Sequence, residues 1–521
     1  MRPDHVIIGS GINALVAGAM LALKGSRVVL LEREAVAGGC LRTEEITLPG
    51  FKHDVMAATW VLFMTSPAGA ALGPHLARQG FEYCHTPHPT AVVRPDGSAL
   101  VLTTDRAANV AGFDALAAGD GAAHARDVGG VEADAPFLFS ILGGSLWSWA
   151  TAKLLLGQVR KRGLRGLAAW FGMALVPARG WLETGYKSPL VQALYAPWVL
   201  HCGLTPESTY SGQMGRVVPF ALEAAGAPII KGGSGQAVAA FRALIEENGG
   251  EIRCGADVER ILVTGGRARG VALVGGEEIA CGSVLASVAP GQLQGRLLRD
   301  VNLPKDQAAA AAFRHGRGNF QLHYALDRPP EWLSPGLNQV ALIHLADGID
   351  SVSKSANEAE RGMLPEVPTI CIGQPHRLDP SRCPDGKAIL WLQIPDAPRV
   401  VKGDAAGQIA TEGGWSEAVR EAFADRIEGV LTRHILDFDA IKLARRAFSP
   451  ADLESMNINL VGGDPYGGLC SIDQFFIFRP YVHSTNGVGQ VRGLIHIGAS
   501  THPGPGLGGG SGFLAAKRLG A

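Results

Sequence analysis

Residues 5–43 read HVIIGSGINALVAGAMLALKGSRVVLLEREAVAGGCLRT. The order of elements in that stretch decides the fold. His5 to Gly9 is a short apolar, β-branched run suited to a buried parallel strand, and Asn13 to Lys24 puts Leu15, Ala19, Ala22 and Leu23 on one helical stripe. Gly9 can take the tight turn, and Gly11 leaves room for a pyrophosphate to approach the backbone. Ala14 stands where a third small residue lets helix pack on strand. Phosphates would sit on the free N–H groups at the helix N-terminus, where the helix dipole favours negative charge. Arg27 to Leu31 is the next strand, and Glu32 ends it where a carboxylate can accept hydrogen bonds from ribose hydroxyls. A glycine-rich turn in an ordinary βαβ unit is the plainer alternative. It leaves the acid at the strand end unexplained.

At 521 residues and 47% hydrophobic content, the chain can bury a large core, and two domains are expected. A formal net charge of -1 gives no nucleic acid an electrostatic footprint, so the expected partner is a small molecule; near-neutrality also favours self-association into a homo-oligomer. The eight cysteines are scattered, with no CxxC pair and no Cys/His cluster at metal-ligand spacing, so no metal is expected and free thiols in a reducing cytoplasm are. The first apolar run is the strand itself, so no export signal is expected. No GxSxG, HExxH or Walker motif occurs, which removes hydrolase and NTPase readings.

Phe137 to Gly157, FLFSILGGSLWSWATAKLLLG, is nearly all apolar and about long enough to span a bilayer, and a basic run to Arg165 follows it. Lys153 and the Gly143-Gly144 pair count against a span. Three readings stand: helices packed inside a substrate domain, a peripheral membrane contact through 137–165, and a true span.

Elsewhere the pattern is coarser. Gly80 to Asp105 reads as a strand followed by a hairpin turning at Asp96-Gly97, and Ala107 to Asp134 as loops and short helices, with Trp-containing helical sequence on to Gln213. The dinucleotide pattern resumes at Gly232-Gly233-Ser234-Gly235, with a helix over Gln236 to Asn248 and a strand over Glu251 to Cys254. From Gly318 to Asp396 four apolar strands suggest an antiparallel sheet with one wall on a cavity, and Trp415 to Phe438 reads as one amphipathic helix. The end of the chain, GLIHIGASTHPGPGLGGGSG over 493–512, is a strand, a Gly/Pro loop and a glycine-started helix: a second backbone cradle.

The continuation LEREAVAGGCLRT, with VIIGSGINALVAG before it and GLIHIGASTHPGPGLGGGSGFLAAKR at the far end, resembles the phytoene desaturase and carotenoid isomerase-like flavoproteins, and within them the phytoene dehydrogenase-related branch. No CxxxxC redox pair is present, so disulfide reduction is not expected. The resemblance covers roughly the first 65 and last 60 residues well, Lys231 to Pro290 moderately and the rest poorly, which bears on cofactor more than on substrate. It implies an α/β chain: a discontinuous Rossmann-type FAD-binding domain (1–75, 228–300, 460–521) and an α+β substrate domain (76–227, 301–459) with a mixed or antiparallel sheet.

On this sequence the resemblance places the pyrophosphate at Gly9, Gly11, Asn13 and Ala14, the adenosine ribose at Glu32, the adenine at Arg33 and Val258, and the inner phosphate and flavin at Gly39 and Arg42. Gly498, Leu507 and Gly508 would line the ribityl chain and isoalloxazine, with the last helix N-terminus toward flavin N1. The segment GFKHDVMAATW would run beside the flavin. That makes His53 and Asp54, and then His502, the catalytic candidates; a hydrogen-bonded structural role is the alternative for each. The implied chemistry is hydride transfer from an apolar, isoprenoid or carotenoid-like molecule to flavin N5 in a dry cavity, with a protein base needed only if water cannot take the accompanying proton. An amine or alcohol oxidase and a non-catalytic flavin-bearing scaffold are the competing readings, and the electron acceptor stays open between oxygen and a quinone.

Overall fold

The computed structural model describes every residue except Met1 and Glu412. Five parallel strands form the first sheet, in the order Leu494–Ile497, Ser283–Ser287, His5–Ile8, Val28–Leu31 and Glu251–Arg253. Both faces are covered. Ile7, Leu30, Leu285 and Ile495 pack beneath helices Ile12–Leu23, Ser234–Glu247 and Gly510–Arg518, while Val6, Val29, Val284 and Leu494 pack on the strands Val258–Thr264, Arg267–Leu273 and Glu278–Ala280. That two-sided burial is why these strands read as unbroken apolar runs rather than alternating ones. Strands from three distant parts of the chain meet here, so the sheet exists only once the chain has closed on itself.

The second sheet has seven strands, ordered Lys442–Phe448, Gly318–Leu326, Ala388–Ala397, Ile370–Gly373, Leu342–Leu345, Thr90–Val93 and Ala99–Leu102. It is mixed, because Leu342–Leu345 runs parallel to Thr90–Val93 while the other neighbours are antiparallel. On one face Phe320, Leu322 and Tyr324 pack against Val419, Phe423 and Ile427 of helix Glu417–Leu431. The other face looks onto a helical layer and a cavity.

Three local expectations change. The Ala107–Asp134 stretch lies in long helices, Arg106–Leu116 and Asp120–Gly143: alanine has the strongest helix propensity, Asp105 caps Ala107 and Ala108, and the sparse large side chains sufficed for one packed face. The amphipathic helix stops at Leu431, and Asp437 with φ 50° starts a separate short helix, Phe438–Ile441. The apolar stretch 137–157 is split between helix Asp120–Gly143 and helix Trp149–Ala174, the latter capped by Ser148 and broken at Gly163, where φ is 72°. Among the described residues no helix is long and apolar enough to cross a membrane.

Candidate functional site

One cavity of about 1070 Å³ runs from the carboxyl ends of the parallel strands to the polar face of the second sheet. Small-molecule pockets run roughly 300–1,000 Å³, so this cavity stands at the top of that range. At the first end Gly9 has φ +91°, and a Cβ there would stand 3.1 Å from the Ser287 carbonyl oxygen. Gly11 is extended (φ -67°, ψ 174°), and its Cβ would meet nothing within 4 Å: that face of the backbone looks into empty space in front of a helix whose N-terminus has no side-chain cap. Uncapped N–H groups beside a void are what a pyrophosphate needs.

Glu32 is buried at the strand end. Its carboxylate accepts the Ser10 N–H (3.1 Å), the Ser10 hydroxyl and the Glu34 N–H (3.0 Å), and Ser10 Oγ in turn accepts the Gly38 N–H at 2.8 Å. The acid therefore organises the turn, the strand end and the Gly38-Gly39 loop while keeping lone pairs for a ribose. Gly9, Gly11, Asn13, Glu32, Arg33, Gly39, Arg42, Val258, Gly498, Leu507 and Gly508 all line the cavity; Ala14 is buried behind it in the helix. Asn13 does a second job. Its Oδ1 accepts the Ser511 hydroxyl (2.9 Å) and the Gly512 N–H (3.2 Å), and Ser511 Oγ accepts the Gly498 N–H (2.8 Å), so one amide locks the first helix to the last. Ser10 and Ser511 went unnoticed in the sequence, where no motif distinguishes a serine that joins loops from one in water.

His53, Asp54 and His502 stand apart from the cavity lining. His53 bonds Thr47 (2.8 Å) and lies edge-on to His323, with ring centres 5.3 Å apart. Asp54 accepts the Thr43 hydroxyl (2.7 Å), the Ser234 N–H (2.7 Å) and a buried Arg382 guanidinium (2.9 Å), tying together the strand before it, the start of helix Ser234–Glu247 and the turn Pro380–Arg382. His502 bonds the Gly144 carbonyl at the end of helix Asp120–Gly143 (2.8 Å). Each of the three is held by hydrogen bonds to its neighbours, and His53 Nδ1 and His502 Nδ1 keep no partner. The fold also gathers a cluster that sequence spacing hides: one ligand-type atom each of His201, His344 and Cys371 lie within 4.8 Å of one another. His201 and His344 satisfy each other through a 2.9 Å N–H···N bond, and burial pushes the Cys371 thiol far up, away from the thiolate that a metal takes.

Burial also holds the histidines neutral: His201, His376, His496 and His502 are lowered to about 4, His323 to about 3 and His53 to about 2. Unfolded, each takes a proton below about pH 6.5. Between there and its folded value the unfolded state binds more protons, so each histidine lowers stability by about 1.4 kcal/mol per pH unit of acidification. With six acting together, unfolding is expected at about pH 5, before most carboxylates titrate. Circular dichroism across a pH series checks this, and a fold still intact near pH 4 contradicts it.

The far half of the cavity is walled by Met56, Ala58, Trp198, Tyr210, Met214, Val217, Leu342 and Trp391, and reaches Phe139 and Leu142. Every charged residue on the lining (Glu32, Arg33, Glu34, Arg42, Asp257 and Arg296) belongs to the dinucleotide end.

Residues 7–72 match the NAD(P)-binding Rossmann-like domain family, and residues 137–398 match the family described as flavin containing amine oxidoreductase. The chain is 27% identical to pyridine nucleotide-disulfide oxidoreductase domain-containing protein 2 of Mus musculus, over 98% of this chain and 92% of that protein. It is 26% identical to hydroxyneurosporene desaturase of Rubrivivax gelatinosus, over 99% and 92%. Among solved structures, cyclohexylamine oxidase from Brevibacterium oxydans shares the fold with a TM-score of 0.55 at 13% identity, covering 100% of both chains. A glycine cradle closed by the two chain ends and an acid placed for a ribose suit the flavin of the matching family: the chain belongs to the flavin containing amine oxidoreductase family and is an FAD-dependent oxidoreductase.

Proposed function

We propose that the chain oxidises a neutral, apolar organic molecule, in the manner of a desaturase or dehydrogenase. The observation that carries this is the lining itself: beyond the dinucleotide end, the described residues put no carboxylate and no cation on the cavity wall. An amine binds as a cation and gains from a counter-charge; a hydrocarbon gains from Met214, Val217 and Trp391. FAD, when bound, supplies the acceptor for a hydride. Gly9, Gly11 and the helix N-terminus would hold its pyrophosphate, Glu32 a ribose, Val258 the adenine side, and Gly498, Leu507 and Gly508 the flavin end. The apolar walls exclude water and fix the substrate's pose. His201 is neutral, the form that accepts a proton, but burial lowers it to about 4 and its Nε2 already bonds His344, so it is a weak base; the proton that accompanies a hydride loss would pass to water at the open mouth of the cavity. The same reading divides the chain into an FAD part (1–75, 228–300, 460–521) and a substrate part (76–227, 301–459).

Phe139, on the lining, is also partly open to solvent, beside a helix that exposes Trp149 (84%) and Leu164 (74%) and carries Arg160, Lys161 and Arg165. A peripheral contact of this face with an anionic lipid surface would hand an insoluble substrate to the cavity. Anaerobic loss of the flavin's visible absorbance, screened over lipophilic alkenes, alcohols and amines, tests both points. Alkenes or alcohols should reduce the flavin and amines should not, and delivery from anionic vesicles should speed reduction in a way that Trp149→Ser removes. Reduction by amines alone would transfer the case to the amine-oxidase reading, and reduction by nothing to the scaffold reading.

A further inference from the structure

The strand Gly318–Leu326, GNFQLHYAL, alternates polar and apolar from Asn319 to Tyr324, yet all nine residues are buried. Phe320, Leu322 and Tyr324 account for one face in the core against helix Glu417–Leu431. The polar face, Asn319, Gln321 and His323, would ordinarily point at bulk water. Here Asn319 and Gln321 point at the cavity, 4% and 1% exposed, and neither Asn319 Oδ1 nor Gln321 Oε1 has a hydrogen-bond partner. Buried amide oxygens left unpaired are destabilising; unlike the unpaired His323 Nδ1 and Tyr324 hydroxyl of the same strand, these two open on the cavity, where a partner from outside the chain can reach them.

The register extends the polar wall. Gln321 stands directly across from Gln393, and Gln393 from Cys371, so two amides neighbour each other on a cavity wall that also carries Asn319, His201 and the apolar Leu342 and Trp391. Trp198, also on the lining, keeps a buried indole N–H without a partner. Amides offer both donors and acceptors but no charge, and a hydroxyl uses both. We infer that the substrate is a lipophilic alcohol, its hydroxyl held by Gln321 and Gln393 and its apolar remainder extending toward Phe139 and Leu142. This rests on the apolar-substrate reading and narrows it: the two amides select an oxygenated molecule over the bare hydrocarbon.

The test titrates the FAD-loaded protein with farnesol and with farnesene, matched probes that differ in the hydroxyl, read by quenching of tryptophan fluorescence. Wild type should bind farnesol about tenfold more tightly, as one neutral hydrogen-bonding site provides. Gln321→Leu and Gln393→Leu should each erase that preference and leave farnesene binding and FAD content unchanged, and Gln321→Leu should leave the melting temperature equal or higher, because its unpaired buried oxygen is gone. Should Gln321→Leu fold poorly, Gln393→Leu carries the same test. Equal affinities in wild type, or a preference that survives both substitutions, overturns the hydroxyl site and leaves the apolar cavity standing. Binding of neither probe overturns both.

Discussion

Gly11→Ala is expected to weaken FAD binding by about a hundredfold, roughly 3 kcal/mol, while leaving the FAD-free protein almost as stable as wild type. The two halves of that result have separate causes. In the empty fold the new methyl meets nothing within 4 Å, and the backbone at φ -67° and ψ 174° is open to any residue. Alanine is a poorer N-cap than glycine by about 0.5–1 kcal/mol, and it restricts the unfolded chain by a similar amount, so the two effects nearly cancel. With FAD the methyl occupies the space through which the phosphates reach the helix N–H groups. Losing one or two charge-assisted hydrogen bonds there costs about 1.5–3 kcal/mol each. Flavin-to-protein ratio after dialysis, set beside the melting temperature of the apoprotein, separates binding from folding. Full FAD retention in Gly11→Ala would place the pyrophosphate elsewhere.

That cradle was legible in the sequence because its parts are local: turn, helix, strand and acid follow one another within 28 residues, and each has its own composition. The C-terminal cradle was legible for the same reason. What closes them together was not, since Asn13 meets Ser511 across 498 positions and nothing near either residue announces the other. The polar candidates show the reverse difficulty. A histidine next to an aspartate reads as chemistry, but its partners, Thr47, Thr43, Ser234 and Arg382, are scattered over more than 300 residues and set it apart from the cavity lining, which no local pattern announces. The four strands between Gly318 and Asp396 were visible from their apolar runs, and their partial alternation pointed to a cavity wall. Which side of the alternation faced the cavity depends on the helix packed on the opposite side, so Gln321 and Gln393 could not be singled out before the sheet was assembled.

Gly512→Ala tests the same clamp from its other end, and the expected pattern is opposite to that of Gly11. A Cβ on Gly512 would fall 1.9 Å from the backbone carbonyl oxygen of Asn13, with Asn13 Cα at 3.0 Å. Neither element can easily yield: helix Ile12–Leu23 is buried along nearly its whole length between the parallel sheet and its neighbours, and helix Gly510–Arg518 is tied to it through Ser511. Overpacking of this kind costs about 1–3 kcal/mol, and prising the helices apart also strains or breaks the two hydrogen bonds to Asn13 Oδ1, at about 1 kcal/mol each. The sum is about 3–5 kcal/mol, which for a chain of 521 residues is a fall of about 4 °C in the melting temperature of the FAD-free protein. Because FAD binds only the closed cradle, saturating cofactor should recover part of the loss by mass action. Gly11→Ala, whose fold is sound, should gain less from the same FAD concentration than wild type, because its phosphate seat is obstructed. A melting temperature in Gly512→Ala that matches wild type without FAD would mean that the two helices are not held at this distance in solution, and the latch between the chain ends would have to be abandoned.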